Sequence, residues 1–201
     1  MTTYKLKTPL SEAQIRELKA YDVVYLSGVV VTARDQAHRR ALEFFKDKKK
    51  LPVNLEGLAV FHCGPVVKKD ADQWVVVAAG PTTSTRMESV EAQFIEGSKV
   101  RMVIGKGGMG QLTAEALAKF GAVYCVFTGG AAVLAAQTVK RVLSVHWLDL
   151  GEPEAMWQFE VDKFGPLVVA LDTHGGNLFS DVAKKVELNR QRISQKLDCK
   201  L

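Results

Sequence analysis

The sequence has few cysteines, and none of them is close to another. Cys63, Cys125 and Cys199 are the three cysteines among 201 residues, and no two of them form a C-x-x-C pair. This spacing argues against a disulfide scaffold and a self-contained zinc site. A cluster held by several thiolates is not predicted either, and Cys125 lies in an apolar run typical of a buried strand. We expect no metal bound by this chain alone.

Long hydrophobic runs are also missing. No segment approaches the roughly 20 consecutive apolar residues of a membrane-spanning helix. Residues 1–7 lack the apolar core of a signal peptide. The sequence therefore predicts a soluble, cytoplasmic protein with no membrane partner.

Charge of one sign is only weakly concentrated. The formal net charge is +5 and the pI is about 9.1, but basic and acidic residues are mixed along most of the chain. Basic residues gather between positions 39 and 50, and no nucleic-acid motif accompanies them. We interpret this stretch as a solvated helix end and expect no nucleic-acid partner. Nucleic-acid binding stays as an alternative that strongly salt-dependent DNA or RNA binding would support.

Length and hydrophobic pattern together predict one mixed α/β domain over residues 1–201. A chain in which 47% of residues are hydrophobic can bury one substantial core. Strand patterns follow one another early in the chain and alternate with helical patterns in the middle. The predicted strands are 23–31, 58–61, 74–79, 100–104, 123–127, 142–147, 158–161 and 167–171. The predicted helices are 11–18, 35–45, 89–95, 112–120, 131–139 and 181–195.

Two helix starts carry capping signals. Ser11 and Gln14 have the spacing of a capping box. Asp35 is predicted as the N-cap of the helix after the first long strand. That assignment places Arg34 in the turn between the strand and the helix.

Four loops join a predicted strand to a predicted helix and carry polar or glycine-rich segments. They are 32–35, 80–86, 105–110 and 127–131. In the second loop, a Gly-Pro turn is followed by four hydroxyl residues, which include Thr82 and Thr83, and then by Arg86. A helix start supplies free backbone N–H groups that favour anions. This loop therefore indicates a site for a carboxylate or a phosphate.

Arg34 and Arg86 favour a substrate with two carboxylates. A guanidinium can donate two parallel hydrogen bonds to a planar carboxylate, and each arginine could serve one carboxylate. The alternative interpretation makes each arginine a surface ion-pair residue and the neighbouring hydroxyls helix caps.

The two glycine-rich loops do not predict a nucleotide site. Lys106 adds a positive charge to loop 105–110, but the spacing matches neither G-x-x-x-x-G-K-[ST] nor G-x-G-x-x-G. The Gly129-Gly130 pair is interpreted as a tight junction between a strand and a helix.

Histidines supply further candidates. Asp172 and His174 follow the apolar run 167–171, and His174 could act as an acid or base because its ordinary pKa is near neutrality. The alternative makes His174 a local hydrogen-bonding residue of a turn. His38 lies one helical turn after Arg34 and could orient a substrate or a partner. The His62-Cys63 pair has no further ligand within reach in the sequence, so no metal is proposed there.

Together these segments resemble the β region of class I iron–sulfur fumarases and L-tartrate dehydratases. The similarity runs in order from residue 8 to residue 180 or so. The matching segments are Ala33-Arg34-Asp35-x-x-His38, Gly80-Pro81-Thr82-Thr83-x-x-Arg86-Met87, Gly105-Lys106-Gly107-Gly108-Met109 and Asp172-Thr173-His174-Gly175.

The resemblance implies a swivelling β/β/α fold, with mixed sheet layers and helices, that packs against a larger α region across the active site. It also implies that this α region, as a separate α subunit, holds a [4Fe–4S] cluster with one iron open to the substrate as a Lewis acid. The scattered cysteines of this chain agree with a β subunit that does not bind the cluster.

The resemblance also assigns roles by matching motif positions. Arg34, Arg86 and Lys106 are expected to bind the substrate carboxylates, and Thr82 to move the carbon-bound proton. A threonine hydroxyl is a poor base, so this role requires cationic groups close to it. Candidates for a supporting role are His38, Thr83, Asp172 and His174.

The implied reaction is the reversible addition of water to a four-carbon dicarboxylate, fumarate to malate, with activity only in the presence of the α subunit. Dehydration of tartrate to oxaloacetate is an alternative, because both substrates are four-carbon dicarboxylates. A non-catalytic anion-binding scaffold is another. The isolated chain could also form a homodimer through surfaces that the α subunit covers.

Overall fold

Nine strands and six helices are formed by residues 1–196, the part of the chain that the computed structural model describes. The strands are β1 (Thr3–Lys7), β2 (Val23–Thr32), β3 (Ala59–Phe61), β4 (Val66–Asp70), β5 (Gln73–Ala78), β6 (Met102–Gly105), β7 (Val123–Val126), β8 (Val139–His146) and β9 (Met156–Leu171). The helices are α1 (Glu12–Glu17), α2 (Asp35–Lys46), α3 (Glu88–Ser98), α4 (Gln111–Phe120), α5 (Ala132–Thr138) and α6 (Leu178–Lys196). Short 3-10 turns cover Ser84–Met87, Gly129–Ala131 and Leu148–Leu150.

The main sheet has seven strands in the order β1-β2-β3-β6-β7-β9-β8. The strands from β1 to β7 in this order run parallel, and β9 runs antiparallel to β7 and β8. Because β9 also pairs with β2, the strands β2, β3, β6, β7 and β9 form a closed ring. Strands β4 and β5 form a separate hairpin.

Alternation along the central strands produces two hydrophobic cores. Phe61 and Ile104 face one cluster, which also takes in residues of β5, β8 and the long strand β9. Val60 and Val103, one position away, face the other cluster, which includes buried residues of α2, α3 and α4. Successive side chains of a strand point to opposite faces, so the sheet is covered by helices on one face and by further strands on the other.

The mixed α/β class is confirmed, and most predicted elements are present. The capping box is confirmed too, since the Ser11 hydroxyl accepts a hydrogen bond from the Gln14 amide and the Gln14 side chain accepts one from the Ser11 amide. The sequence did not predict β1 or β4, whose exposed polar positions reflect their places at sheet edges. The predicted strands 158–161 and 167–171 are parts of one strand, β9.

The topology brings the ends of several strands to one edge of the sheet. Parallel neighbours end at the same edge, and in α/β sheets the loops after those carboxyl ends form the usual ligand crevice. Here they are the loops after β2, β3, β6 and β7. Among the described residues, no helix is both long enough and apolar enough to cross a membrane.

Candidate active site

The loop of residues 80–86 and the loop after β6 are joined by backbone hydrogen bonds. The Lys106 amide donates to the Thr82 carbonyl at 3.3 Å, and the Ser84 amide donates to the Lys106 carbonyl at 3.0 Å. Thr83 and Lys106 form an isolated parallel bridge. The Thr82 amide in turn donates to the His62 carbonyl at 2.7 Å, just beyond β3. The fold thus places Thr82, Arg86 and Lys106 on adjoining backbone.

Arg34 lies at the start of α2 and is held by acidic side chains. Its Nε is 2.9 Å from Oε1 of Glu154 and 3.4 Å from Oδ2 of Asp35, and 21% of its side chain is exposed. Gly64 makes room for this arginine. A Cβ at that position would lie 2.8 Å from Nη1 of Arg34 and 2.7 Å from the Pro153 carbonyl oxygen.

The predicted N-cap of α2 is wrong. The N-cap residue is Arg34, without a capping hydrogen bond from its side chain. The helix start is capped from elsewhere in the fold, because Oε2 of Glu154 accepts a hydrogen bond of 2.9 Å from the Gln36 amide. Glu154 therefore fixes both Arg34 and the first turn of α2, and the carboxylate of Asp35 is left for another partner.

That partner is Arg86. The Arg86 Nε donates to Oδ1 of Asp35 at 3.1 Å and the Nη2 donates to Oδ2 at 2.6 Å, which is a two-point guanidinium–carboxylate pair. Burial alone would raise the pKa of Asp35, but a backbone hydrogen bond and the charge of Arg86 outweigh it and hold the pKa below its ordinary value. Asp35 therefore stays ionised and orients Arg86, a role that the sequence did not reveal.

Thr82 is next to this pair. Its Oγ1 accepts a long hydrogen bond of 3.4 Å from Nη1 of Arg86. The side chain of Lys106 is exposed and makes no ion pair within residues 1–196. The three cations of the site therefore outnumber its two carboxylates, Asp35 and Glu154, and the net charge is positive. The ammonium group of the lysine is available to bind an anion.

The glycine-rich loop does not present a free helix start for a phosphate. The Glu88 side chain accepts hydrogen bonds from the Gly110 amide at 2.7 Å and from the Thr113 amide at 3.2 Å. These are N–H groups at the start of α4. Their occupation agrees with the interpretation that loop 105–110 is not a nucleotide site.

His62 has ligating neighbours in the fold that are not close to it in the sequence. Its Nε2 lies 3.1 Å from Oε2 of Glu91 in α3, and Nε2 of His38 lies 3.3 Å from the same oxygen. All three side chains are fully buried, and their ligating atoms lie within 4.8 Å of one another. The three residues are far apart in the sequence and belong to different elements, so no local pattern could have predicted the cluster.

Asp172 and His174 make different contacts. The Asp172 carboxylate accepts hydrogen bonds from the backbone amides of Ala20, His174 and Gly176, each at 2.8 Å. Nε2 of His174 donates to the Arg16 carbonyl at 2.7 Å. Within the described residues neither side chain hydrogen-bonds to the arginines, the threonine or the lysine of the site. Both organise the turn that follows β9.

The described cysteines do not suit an iron–sulfur cluster. Cys63 and Cys125 are buried in the core, and burial raises the pKa of both thiols, whereas a cluster is held by thiolates. The two belong to different strand regions and share no ligand group. Cys199 lies outside the described residues.

Comparison with known proteins shows the family. The family described as Fumarase C-terminus matches residues 1–182. The chain belongs to this family. An L(+)-tartrate dehydratase subunit beta from Escherichia coli (strain K12) is 46% identical over 192 residues, which is 96% of this chain and 94% of that protein. A Geobacillus stearothermophilus protein named "Putative fumarate hydratase class I" is 43% identical over 191 residues, which is 94% of this chain and 35% of that protein.

Membership of the Fumarase C-terminus family confirms the resemblance that the four motif segments indicated. Three of those segments are the ones that meet in the structure, around Arg34, Thr82 and Lys106. The two related names both describe enzymes that add or remove water.

Proposed function

We propose that this chain is the β subunit of a hydro-lyase that acts on a four-carbon dicarboxylate. The observation that carries the proposal is that Arg34 and Arg86 share the Asp35 carboxylate, with Arg86 beside the Thr82 hydroxyl and Lys106 on the adjoining backbone. Two guanidinium groups and one ammonium group suit a doubly charged substrate. The family and the names of the two relatives support the same class of reaction.

Each cation has a distinct part. Lys106 has no ion-pair partner in the described chain, so it binds a substrate carboxylate without first giving up another contact. Arg34 and Arg86 are already oriented by Glu154 and Asp35, and a guanidinium with five N–H donors retains donors for a second carboxylate. Because the two arginine side chains are oriented before the substrate binds, less conformational entropy is lost on binding.

Thr82 is the proposed proton-transfer group. Dehydration of a hydroxy diacid removes a proton from one carbon and hydroxide from its neighbour, and the electron pair of the broken C–H bond forms the double bond between the two carbons. The proton passes first to the enzyme and then to solvent, so that the net loss is one water molecule. Oγ1 of Thr82 takes that proton. Its basic form needs positive charge close by, and Arg86 Nη1 at 3.4 Å supplies it.

The cluster is proposed to belong to a partner α subunit. The family of class I fumarases and tartrate dehydratases is generally iron–sulfur dependent, and the two buried thiols of the described chain do not suit the group. The relative named subunit beta implies a second subunit in that enzyme. The exposed side chains of Thr83, Arg86 and Lys106 leave the site open to such a partner. We further propose that the chain has the swivelling β/β/α architecture, with the partner covering this edge.

Two substrates are candidates. Hydration of fumarate to malate is one, and the fumarate hydratase relative supports it. Dehydration of tartrate to oxaloacetate is the other, and it is favoured by the 46% identity to a tartrate dehydratase β subunit over nearly the whole of both chains.

The test is anaerobic co-expression with a cluster-bearing α-type chain, followed by rate assays on malate, fumarate and both tartrate enantiomers. The proposal predicts turnover of at least one substrate that requires both chains. A well-formed, cluster-loaded complex that is inert on all four would contradict it and favour an anion-binding scaffold.

A further inference from the structure

The fully buried cluster of His38, His62 and Glu91 lies beneath the candidate active site and is not explained by substrate binding. Both histidine Nε2 atoms face the same carboxylate oxygen, at 3.3 and 3.1 Å. Neither contact is aligned as a directional hydrogen bond, so electrostatic attraction at close range holds the three groups together. A buried charge without a partner destabilises the fold strongly, so the pairing of these groups stabilises it.

Hydrogen-bond partners on the far side of each ring decide where the protons are. Nδ1 of His38 lies 3.0 Å from the Arg34 carbonyl, which only accepts, so Nδ1 carries a proton. Nε2 of the same ring faces a carboxylate oxygen, which also only accepts. An unprotonated Nε2 would direct its lone pair at that oxygen. His38 is therefore an imidazolium, with both nitrogens protonated.

His62 has a different partner and a different charge. Its Nδ1 lies 2.9 Å from the Ser84 hydroxyl, which can donate to it. With a proton on Nε2 towards Glu91 and the Ser84 hydroxyl donating to Nδ1, His62 satisfies its contacts as a neutral ring. Gly105 makes this contact possible, because a Cβ there would lie 1.8 Å from the Ser84 oxygen.

A metal ion fits the cluster less well than a proton does. Structural zinc sites use four protein ligands, and catalytic sites leave an open position for water. Here three ligand residues are grouped, and all three are sealed from solvent. The cluster is therefore one ligand short of a closed site and has no opening to water.

The electrostatic surroundings agree with one charged and one neutral histidine. Burial lowers the pKa of His38, but Glu91 and the Arg34 carbonyl outweigh it, so that the pKa is raised. Burial dominates at His62 and lowers its pKa. The two histidines hold the pKa of Glu91 well below its ordinary range despite burial. The other groups that face the cluster are Asp35 from α2, the ring of Phe94 at 4.2 Å from His38, and Tyr124 from β7.

We propose that His38, Glu91 and His62 form an imidazolium–carboxylate–imidazole unit, in which the His38 ring carries one proton more than a neutral imidazole, and that the three act as positioning residues for the active site. His38 holds the Arg34 carbonyl, and the His62 carbonyl holds the Thr82 amide. The unit thus fixes the backbone of a substrate-binding residue against that of the proton-transfer residue. Its effect on turnover rests on the proposed function, but its protonation state does not.

Long-range ¹H–¹⁵N correlation spectra of the full chain, labelled at its four histidines, test the protonation state directly. The expected result, at a pH just above the ordinary histidine pKa of about 6.5, is one ring with both nitrogens protonated and a second neutral ring with its proton on Nε2. Ordinary titration of all four rings would overturn the proposal. So would two neutral rings protonated on Nδ1, together with about one metal ion per chain by elemental analysis.

Variants separate positioning from folding. Glu91→Gln should remove the imidazolium signal of His38 and lower kcat in the reconstituted complex at least tenfold, with a smaller change in KM. Glu96→Gln, on the same helix but exposed, should change neither. An intact imidazolium signal or an unchanged kcat in the Glu91 variant would overturn the proposal.

Ser84→Ala is a milder variant for use if Glu91→Gln does not fold. It should shift the Nδ1 signal of His62 alone and leave His38 as an imidazolium. An unchanged His62 signal would refute the assignment. Because the spectra need no substrate, a failed rate assay on every candidate substrate would count against the proposed function and not against this unit.

Discussion

Lys106 offers the clearest test of substrate binding, because its side chain is exposed and has no ion-pair partner within residues 1–196. Lys106→Ala should change the free energy of unfolding by no more than about 0.5 kcal/mol, as is usual for surface positions. A charge-assisted hydrogen bond to a carboxylate is worth about 1.5–3 kcal/mol. Its loss corresponds to a fall in kcat/KM of roughly 10- to 150-fold.

The assay is kcat/KM of the reconstituted two-chain enzyme, with urea unfolding of the same variant. Lys5→Ala is the matched control, since Lys5 is an exposed lysine on the edge strand β1. It should leave both quantities unchanged. A Lys106→Ala enzyme within twofold of wild type would refute the role of Lys106 in binding. A large loss of stability would instead show that the lysine acts through the fold.

Three further results are expected at the acidic and glycine positions around the arginines. Asp35→Asn should lower kcat/KM roughly fivefold, or about 1 kcal/mol, because Arg86 is 49% exposed and its pairing is partly screened; an unchanged value would show that Arg86 needs no such support. The stability difference between wild type and Asp35→Asn, measured by urea unfolding, should be constant above the ordinary aspartate pKa of about 3.9 and shrink as pH falls through the lower folded pKa; a difference that persists in strong acid would contradict the pairing. Gly64→Ala should displace Arg34 and raise KM, since the added Cβ would lie 2.7 Å from the Pro153 carbonyl oxygen. Gly130→Ala is the control, because its Cβ meets no atom within 4 Å, and it should leave KM unchanged. Equal KM values in the two variants would contradict the argument.

The sequence was sufficient for the mixed α/β class and for the set of loops that meet at the site. The central strands are short apolar runs that are buried on both faces, and each of the loops 32–35, 80–86 and 105–110 follows a strand. Parallel strands bring the loops after β2 and β6 to one edge. The loop of Arg86 follows β5 of the separate hairpin, and its backbone hydrogen bonds to Lys106 could not be predicted from the strand pattern.

Other parts depended on contacts between segments far apart in the chain. Glu154 caps α2 from 118 residues away, and Glu91 reaches two histidines on other elements. Asp35 has the sequence position of an N-cap, and its real partner, Arg86, becomes apparent only when the two loops meet. Strand β9 was divided in the prediction because polar residues and Gly165-Pro166 interrupt its apolar pattern.

Thr82 carries the central chemical claim, and its replacement tests that claim most directly. The measurement is kcat of the reconstituted enzyme with Thr82→Ala and Thr82→Ser, at a substrate concentration well above KM and with assembly verified by gel filtration. Acid–base groups contribute about 10²- to 10⁴-fold. The account predicts a loss of that size for alanine and substantial activity for serine, which keeps the hydroxyl. An alanine variant within threefold of wild type would show that the proton is moved by another group.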